Sequence, residues 1–190
     1  MTTSRRLRLY FWVLLALNIG FIAWSKFYLS PFSSSDIVRF EVAKTTAVAE
    51  RIIADWTSEG LIETAKQSIW LDYIFILLYT GLIMIAIPLL ARLSKHVLLL
   101  RTGRFISMLL PIAAICDVIE NISMMKNLSG SVSPFYVELT YDMAVAKFSI
   151  IILALIFLFI CLLFWIGNAF RKAPRLHSDI DALPVQPPYD

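Results

Sequence analysis

The sequence contains little charge for its length. Charged residues make up 16% of its 190 residues, hydrophobic residues make up 59%, and the mean hydropathy is +0.75. Soluble domains contain about 25% charged and about 45–50% apolar residues, and a soluble chain this small cannot bury such an excess of apolar surface. The composition therefore excludes an ordinary soluble protein and predicts a protein that lies in a lipid bilayer.

Residues that bind metals or form disulfides are also scarce. The two histidines, His96 and His177, lie near charged segments outside the apolar runs, which argues against a histidine-based zinc, iron or copper centre. The two cysteines, Cys116 and Cys161, lie inside apolar runs. In antiparallel helices their depths would differ by roughly 9 Å, which is too far for a disulfide.

Several motifs are missing as well. The chain has no C-x-x-C pair, no glycine-rich phosphate loop and no internal repeat, so it carries no thiol-oxidoreductase, haem, zinc or nucleotide signature. Any cofactor is left unknown. The net charge of +3 is small, and the basic residues cluster by membrane side, so nucleic-acid binding has no support.

Four apolar stretches are long enough, or nearly so, to cross about 30 Å of hydrocarbon as helices. We therefore predict an all-α fold, a four-helix transmembrane bundle with an extracytoplasmic amphipathic helical cap between spans one and two. The predicted spans are residues 9–29, 69–91, 105–125 and 141–168, and the predicted cap is 33–67.

The distribution of Lys and Arg predicts the orientation. The N-terminus 1–8, the connection 92–104 and the tail 171–190 are rich in basic residues, so we expect all three in the cytoplasm. The connections 33–67 and 126–140 are acidic or nearly uncharged and are expected outside. Span one lacks a convincing cleavage site and is interpreted as a retained anchor. The prediction is a multi-pass cell-membrane protein with both termini cytoplasmic.

The predicted cap has a helical pattern. Apolar residues recur at three-and-four spacing and would line one face of a helix: Val38, Val42, Thr45, Ala49, Ile52, Ile53 and Trp56. The serines before Asp36 offer helix caps, and Gly60 is a plausible stop or hinge before a second short helix that leads into span two. We expect this segment to pack on the bundle or lie at the membrane surface, and a docking face for a protein partner is the alternative. The lipid bilayer is the other expected partner.

Ionisable residues inside the spans are the candidate functional feature, since a central Asp or Lys costs about 2.5–3.5 kcal/mol on insertion. Helical spacing places them on shared faces, and the predicted orientation places them at a similar depth in the outer part of the membrane. We predict that three spans direct them at one pocket. The candidate binding residues are Asp72, Tyr79, Asp117, Glu120, Asn121, Asp142 and Lys147.

The net charge of these residues is compatible with more than one role for the site. The four acidic residues and one lysine of the set would carry a net charge of −3 if fully ionised. Such a site must keep protons, admit water, or bind a cation such as magnesium, calcium or manganese. We expect a site for a proton, a cation or a polar head group. One alternative is a structural or assembly protein whose intramembrane charges only pair helices.

A second alternative is a lipid-modifying intramembrane enzyme. In that reading Glu120 or Asp117 is the acid or base, Lys147 stabilises negative charge, and Tyr79 or Asn121 positions the substrate. No nucleophile has a histidine within reach, so the sequence assigns no catalytic residue, and any metal ligands are likewise unknown.

Three short motifs resemble a pattern in small bacterial four-span membrane proteins. They are Trp70-Leu71-Asp72 with Tyr79 beyond it, Asp117-x-x-Glu120-Asn121, and Ala146-Lys147-Phe148. The resemblance covers residues 37–165. It implies the same fold and implies that six residues belong together, but it carries over no activity. Those residues are Asp72, Tyr79, Asp117, Glu120, Asn121 and Lys147.

Overall fold

The computed structural model describes residues 3–171, and over this range every regular element is an α-helix. The tail from residue 172 onward, with His177, lies outside the described residues, as do residues 1 and 2. The six helices in chain order are α1 (Thr3–Tyr28), α2 (Ser34–Glu41), α3 (Thr46–Ser58), α4 (Ile62–Leu93), α5 (Val97–Ser129) and α6 (Pro134–Arg171).

Four of these helices are long and apolar enough to cross a membrane. The qualifying segments are Arg5–Tyr28, Ile62–Leu93, Val97–Ser129 and Pro134–Asn168. Large apolar side chains cover their outer faces, for example Leu77, Met108 and Phe159, each at least 59% exposed. Such a surface suits lipid and not water. The prediction of an all-helical chain with four apolar spans is confirmed for the described residues, and it supports a multi-pass membrane protein.

The spanning helices are longer than the apolar runs that define them. α4 begins at Ile62, so residues predicted as the end of the cap form its first turns. α5 begins at Val97 and contains the basic connection as far as Arg104. Both helices continue through a proline, at Pro88 and Pro111. No proline separates these polar turns from the apolar runs, and Gly103 in α5 does not end the helix, so the backbone hydrogen bonds extend through both.

The spans α4, α5 and α6 pack on one another, and α1 packs against α4. Asn18 secures α1, because its Nδ2 donates a hydrogen bond of 3.0 Å to the backbone oxygen of Leu78. Small residues allow the close approach of α5 and α6, since Ala113, Ala144 and Ala154 are fully buried. The three-helix core of α4, α5 and α6 therefore holds most of the buried side chains.

The segment between α1 and α4 differs from the single helical face predicted for it. It forms two helices, because the chain leaves the helix at Val42 and the Thr45 hydroxyl caps α3 by accepting a hydrogen bond from the Val48 amide. The break changes which side of α2 faces inward. Val38 and Val42 are 40% and 45% exposed, so they do not share one buried face with Ile52 and Trp56, and the prediction of a single continuous apolar face is wrong.

Other predictions about this segment hold. Asp36 and Ser33 form a capping box at the start of α2. Gly60 follows α3 with φ of +69°, a backbone conformation that glycine adopts without strain. Trp56 of α3 is buried against Phe32 and Phe40, with ring centroids 5.2 and 5.3 Å away. α2 contacts α5 and α6, and α3 contacts α4 and α6, so the helix pair packs on one end of the bundle.

Two apolar clusters divide the bundle along its length. The first joins the helix pair to α4, α5 and α6 through residues such as Trp56, Ile69 and Met124. The second joins the same three spans through residues such as Ile87, Leu110 and Phe157. In each span a short stretch of chain separates the two clusters. The polar residues of the candidate site lie in those stretches.

Candidate functional site

The ammonium of Lys147 is the centre of a buried charged cluster. Its Nζ lies 2.8 Å from Asp117 Oδ1 and 2.9 Å from both carboxylate oxygens of Glu120. Asp117 and Glu120 are three residues apart in α5 and therefore share the face that meets α6. All three side chains are at most 6% exposed. The lysine of α6 thus bridges two acidic residues of α5.

Two further hydrogen bonds connect α5 to α4. The Tyr79 hydroxyl donates to Asp117 Oδ2 at 2.7 Å. The Asn121 amide nitrogen donates to Asp72 Oδ2, also at 2.7 Å. Tyr79 and Asp72 are seven residues apart in α4, so two turns of helix place them on one face. Six of the seven candidate residues therefore lie in a network of contacts between α4, α5 and α6.

Asp142 is the candidate residue that the structure does not place in this network. It is exposed, and it lines a separate cavity of about 410 Å³ together with Lys44, Glu138 and Tyr141. Lys44 Nζ lies 5.5 Å from the Tyr141 ring centroid. Among the hydrogen bonds and ion pairs of residues 3–171, none joins Asp142 to the cluster. Asp142 lies five residues before Lys147, which puts it on a different face of α6.

Glu41 joins the cluster from outside the spanning helices. It is the last residue of α2, it is 7% exposed, and its Oε2 lies 3.6 Å from Lys147 Nζ. Burial raises the pKa of the Glu41 carboxyl above its ordinary value, and the Lys147 ammonium opposes that rise without cancelling it. The neighbouring Asp117 carboxylate also raises the pKa of Glu41.

Sequence reasoning missed Glu41. It lies in a segment with many charged residues, where an acidic side chain is ordinarily in water. The available signal was its neighbour Phe40, a large apolar residue that is 3% exposed. Because Val38 and Val42 suggested a different inward face, the inward direction of Phe40 and Glu41 required knowledge of the break after α2.

The cluster contains more acid than base. Four carboxyl groups, those of Glu41, Asp72, Asp117 and Glu120, accompany the one ammonium of Lys147. Full ionisation would leave a net charge of −3 between two apolar clusters. Uncompensated charge in such a place costs several kcal/mol per ion. Protons, water that reaches the partly buried Asp72, or another cation must therefore offset the charge.

The Lys147 ammonium has three N–H donors but four carboxylate oxygens within 3.6 Å, one of Asp117, two of Glu120 and one of Glu41. The farthest of them, the buried Glu41 Oε2, is left without a hydrogen-bond donor. The carboxyl groups of Glu41 and Glu120 both contact this ammonium, at 3.6 and 2.9 Å, so one proton can serve both. A shared proton would supply the missing donor, because a protonated carboxyl donates through its O–H.

No family model, curated protein or solved structure matches this chain. The role of the cluster therefore has to be inferred from its own chemistry. Among residues 3–171, no group of three or more His, Cys, Asp or Glu side chains is arranged to hold a metal ion. The position that a bound cation would take between Asp117 and Glu120 is occupied by the Lys147 ammonium.

Proposed function

We propose that this chain is a proton-binding integral membrane protein, in which the carboxyl groups of Glu41 and Glu120 take up and release one shared proton. The observation that carries the proposal is that Glu41 and Glu120 share one ammonium, which lies 2.9 Å from Glu120 but 3.6 Å from Glu41 and leaves the buried Glu41 Oε2 without a donor. A proton shared by the two carboxyl groups removes one negative charge and provides the missing hydrogen bond.

A proton fits this place better than the other expected ligands. A metal ion would have to displace the Lys147 ammonium from Asp117 and Glu120. A polar head group needs open space, but Glu120 and Lys147 are buried, and neither of two surface cavities in the described chain is lined by them. Proton uptake needs no such space.

Glu41 supplies a route for the proton. It lies at the end of α2, outside the four spans, and three residues before Lys44, which lines the open 410 Å³ cavity. At most about 11 Å of chain separates the two residues. We infer that Glu41 exchanges its proton with water on that side, and that Glu120 holds the proton within the bundle. This arrangement suits a protein that senses or couples to a proton gradient.

The proposed orientation has both termini in the cytoplasm and the helix pair α2–α3 as an extracytoplasmic cap. Support comes from the basic residues of the N-terminus and of the α4–α5 connection, at the opposite end of the bundle from the helix pair. In this orientation Glu41 and the open cavity face outside, and the proton is exchanged with the outer solution.

Infrared difference spectroscopy tests the proton site. The full chain in detergent is titrated, and the C=O stretch of a protonated carboxylic acid is followed in the wild type, Glu120→Gln and Glu41→Gln. We expect a band that persists to neutral pH in the wild type and is lost or displaced in both variants. Asp142→Asn, which changes an exposed carboxyl outside the cluster, is the matched control and should keep the band. A wild type without the band, or a band equal in all four proteins, overturns the proposal.

A structural role is the second candidate, and the pattern of hydrogen bonds favours it. Every contact of the cluster joins two different helices, as Tyr79 and Asp117 join α4 to α5 and as Lys147 and Glu120 join α6 to α5. Polar contacts between spans commonly serve this purpose. A lipid-modifying activity with Glu120 or Asp117 as acid or base stays a prediction from the sequence.

A further inference from the structure

A second site lies at the other end of the bundle, in a groove between α4 and α5. It encloses about 550 Å³ and lies next to the connection between the two helices. Arg92 is one residue before the end of α4, and Arg104 is seven residues after the start of α5. A rise of about 1.5 Å per residue therefore puts both arginines within about 11 Å of the helix ends. That is the depth at which a spanning helix meets lipid head groups.

The groove concentrates positive charge. Arg92 and Arg104 both line it and both are exposed, and no acidic residue is among its lining residues. Among the ion pairs of residues 3–171, none involves either arginine. A guanidinium group offers several N–H donors in a planar fork that matches phosphate oxygens. Two unpaired guanidinium groups in one groove fit a phosphate group.

Two prolines add hydrogen-bond acceptors to the same groove. Pro88 and Pro111 have no N–H, so the backbone carbonyls of Met84 and Ser107, four residues earlier, lose their usual helical donor. All four residues line the groove. An ammonium donor suits the groove less well, because the two arginines would repel it.

The remaining walls are apolar. Met84, Leu100 and Met108 line the groove, and all three are exposed, so an acyl chain can lie against them. The groove thus combines cationic donors near the helix ends with an apolar surface deeper along the same two helices. This combination separates a lipid from a free phosphate, which would use the arginines alone.

We propose that this groove binds the head group of an anionic phospholipid. The phosphodiester lies between Arg92 and Arg104, and an acyl chain extends past Met84 and Met108, which lie deeper along α4 and α5. This site is separate from the charged cluster around Lys147 and does not depend on the proton proposal.

Native mass spectrometry tests this inference. The full chain in a neutral detergent is mixed with equal amounts of phosphatidylglycerol and phosphatidylcholine, and the bound lipid is counted. We expect preferential retention of phosphatidylglycerol. The double variant Arg92→Gln/Arg104→Gln should lower its affinity by about tenfold or more, the effect of losing a charged hydrogen bond. The charge-matched control Arg51→Gln/Arg101→Gln, which changes two exposed arginines that do not line the groove, should retain it.

Two further experiments show whether the bound phosphate belongs to a lipid or is free phosphate. Inorganic phosphate and glycerol phosphate, added at the same concentration as the lipid, should leave the bound phosphatidylglycerol in place. A photoactivatable phosphatidylglycerol should crosslink the wild type within residues 84–111, a measurement that needs no variant. Equal retention of the two lipids, displacement by inorganic phosphate, equal loss in the control variant, or crosslinking confined to other residues would each overturn the proposal.

Discussion

Glu41 and Lys147 meet at 3.6 Å although Lys147 lies in a spanning helix and Glu41 lies in a short helix outside the spans. The contact brings a fourth carboxyl group to a cluster that Asp72, Asp117 and Glu120 already form with the lysine. It also couples the packing of the helix pair α2–α3 to the charge inside the bundle.

The first prediction concerns the pH dependence of stability at Glu41. Burial raises the pKa of Glu41 in the folded protein above its ordinary value of 4.5, so between the two values the folded state binds more protons than the unfolded state. The free energy of unfolding must therefore fall as the pH rises above 4.5 and through the folded pKa. Glu41→Gln should remove this part of the pH dependence.

Thermal unfolding in detergent measures that effect across acidic and neutral pH. The buried thiols of Cys116 and Cys161 report unfolding through a thiol-reactive dye. Glu50→Gln, at an exposed position in α3, is the control and should leave the pH profile unchanged. If wild type and Glu41→Gln lose stability in parallel as the pH rises, Glu41 does not titrate as described.

The second prediction concerns the loss of the central ammonium. Lys147→Met leaves Asp117 and Glu120 buried without their cation, and breaking such a pair costs about 3–5 kcal/mol of unfolding free energy. We expect the loss to be smaller in acid, where the carboxyl groups take up protons. Equilibrium unfolding in mixed micelles measures both values. Lys126→Met, at an exposed position in α5, should change the free energy by no more than about 0.5 kcal/mol.

Combination with Glu120→Leu separates the two candidate functions. Recovery of most of the lost stability in Lys147→Met/Glu120→Leu, together with an unchanged proton-uptake signal, would favour a cluster that only joins helices. Recovery of stability with loss of the signal would favour the proton site. If Lys147→Met alone is as stable as the wild type at neutral pH, both candidate functions are contradicted.

The third prediction concerns the hydrogen bond between α4 and α5. Tyr79→Phe keeps the ring and removes the hydroxyl that donates to Asp117 at 2.7 Å. Hydrogen bonds to charged groups contribute about 1.5–3 kcal/mol, so the free energy of unfolding should fall by about this amount. Tyr10→Phe, at an exposed position in α1, provides the comparison. A cycle with Asp117→Asn should show coupling between the two positions, and purely additive losses would show that the hydroxyl acts elsewhere.

The fourth prediction concerns the close packing at Gly103. A Cβ at this position would lie 3.1 Å from a ring carbon of Phe157 and 3.2 Å from Cγ2 of Ile87. Gly103→Val should therefore force these side chains apart and cost about 1–3 kcal/mol through overpacking. Gly20→Val makes the same chemical change in α1 where nothing lies within 4 Å. Equal stability of the two variants in thermal unfolding would show that α4, α5 and α6 can move enough to accommodate a side chain at position 103.

The polar residues of the spans show how much of the candidate site can be predicted from the sequence alone. Helical periodicity places Asp117, Glu120 and Asn121 on one face of α5, and the cost of charge in lipid directs that face inward. The same reasoning was insufficient for Asp142. This residue lies near the start of α6, where an acidic side chain can reach water. Position within a span therefore matters as much as residue type.

The sequence by itself determined the solvent, the number of apolar spans and their helical form, because a backbone in lipid must satisfy its hydrogen bonds within each segment. The tertiary structure decided which polar groups meet. Asp72 pairs with Asn121, Tyr79 with Asp117, and Glu41 with Lys147, and each of these contacts joins residues far apart in the chain. Such contacts depend on the rotation and tilt of packed helices and on the break between α2 and α3, which local periodicity does not determine.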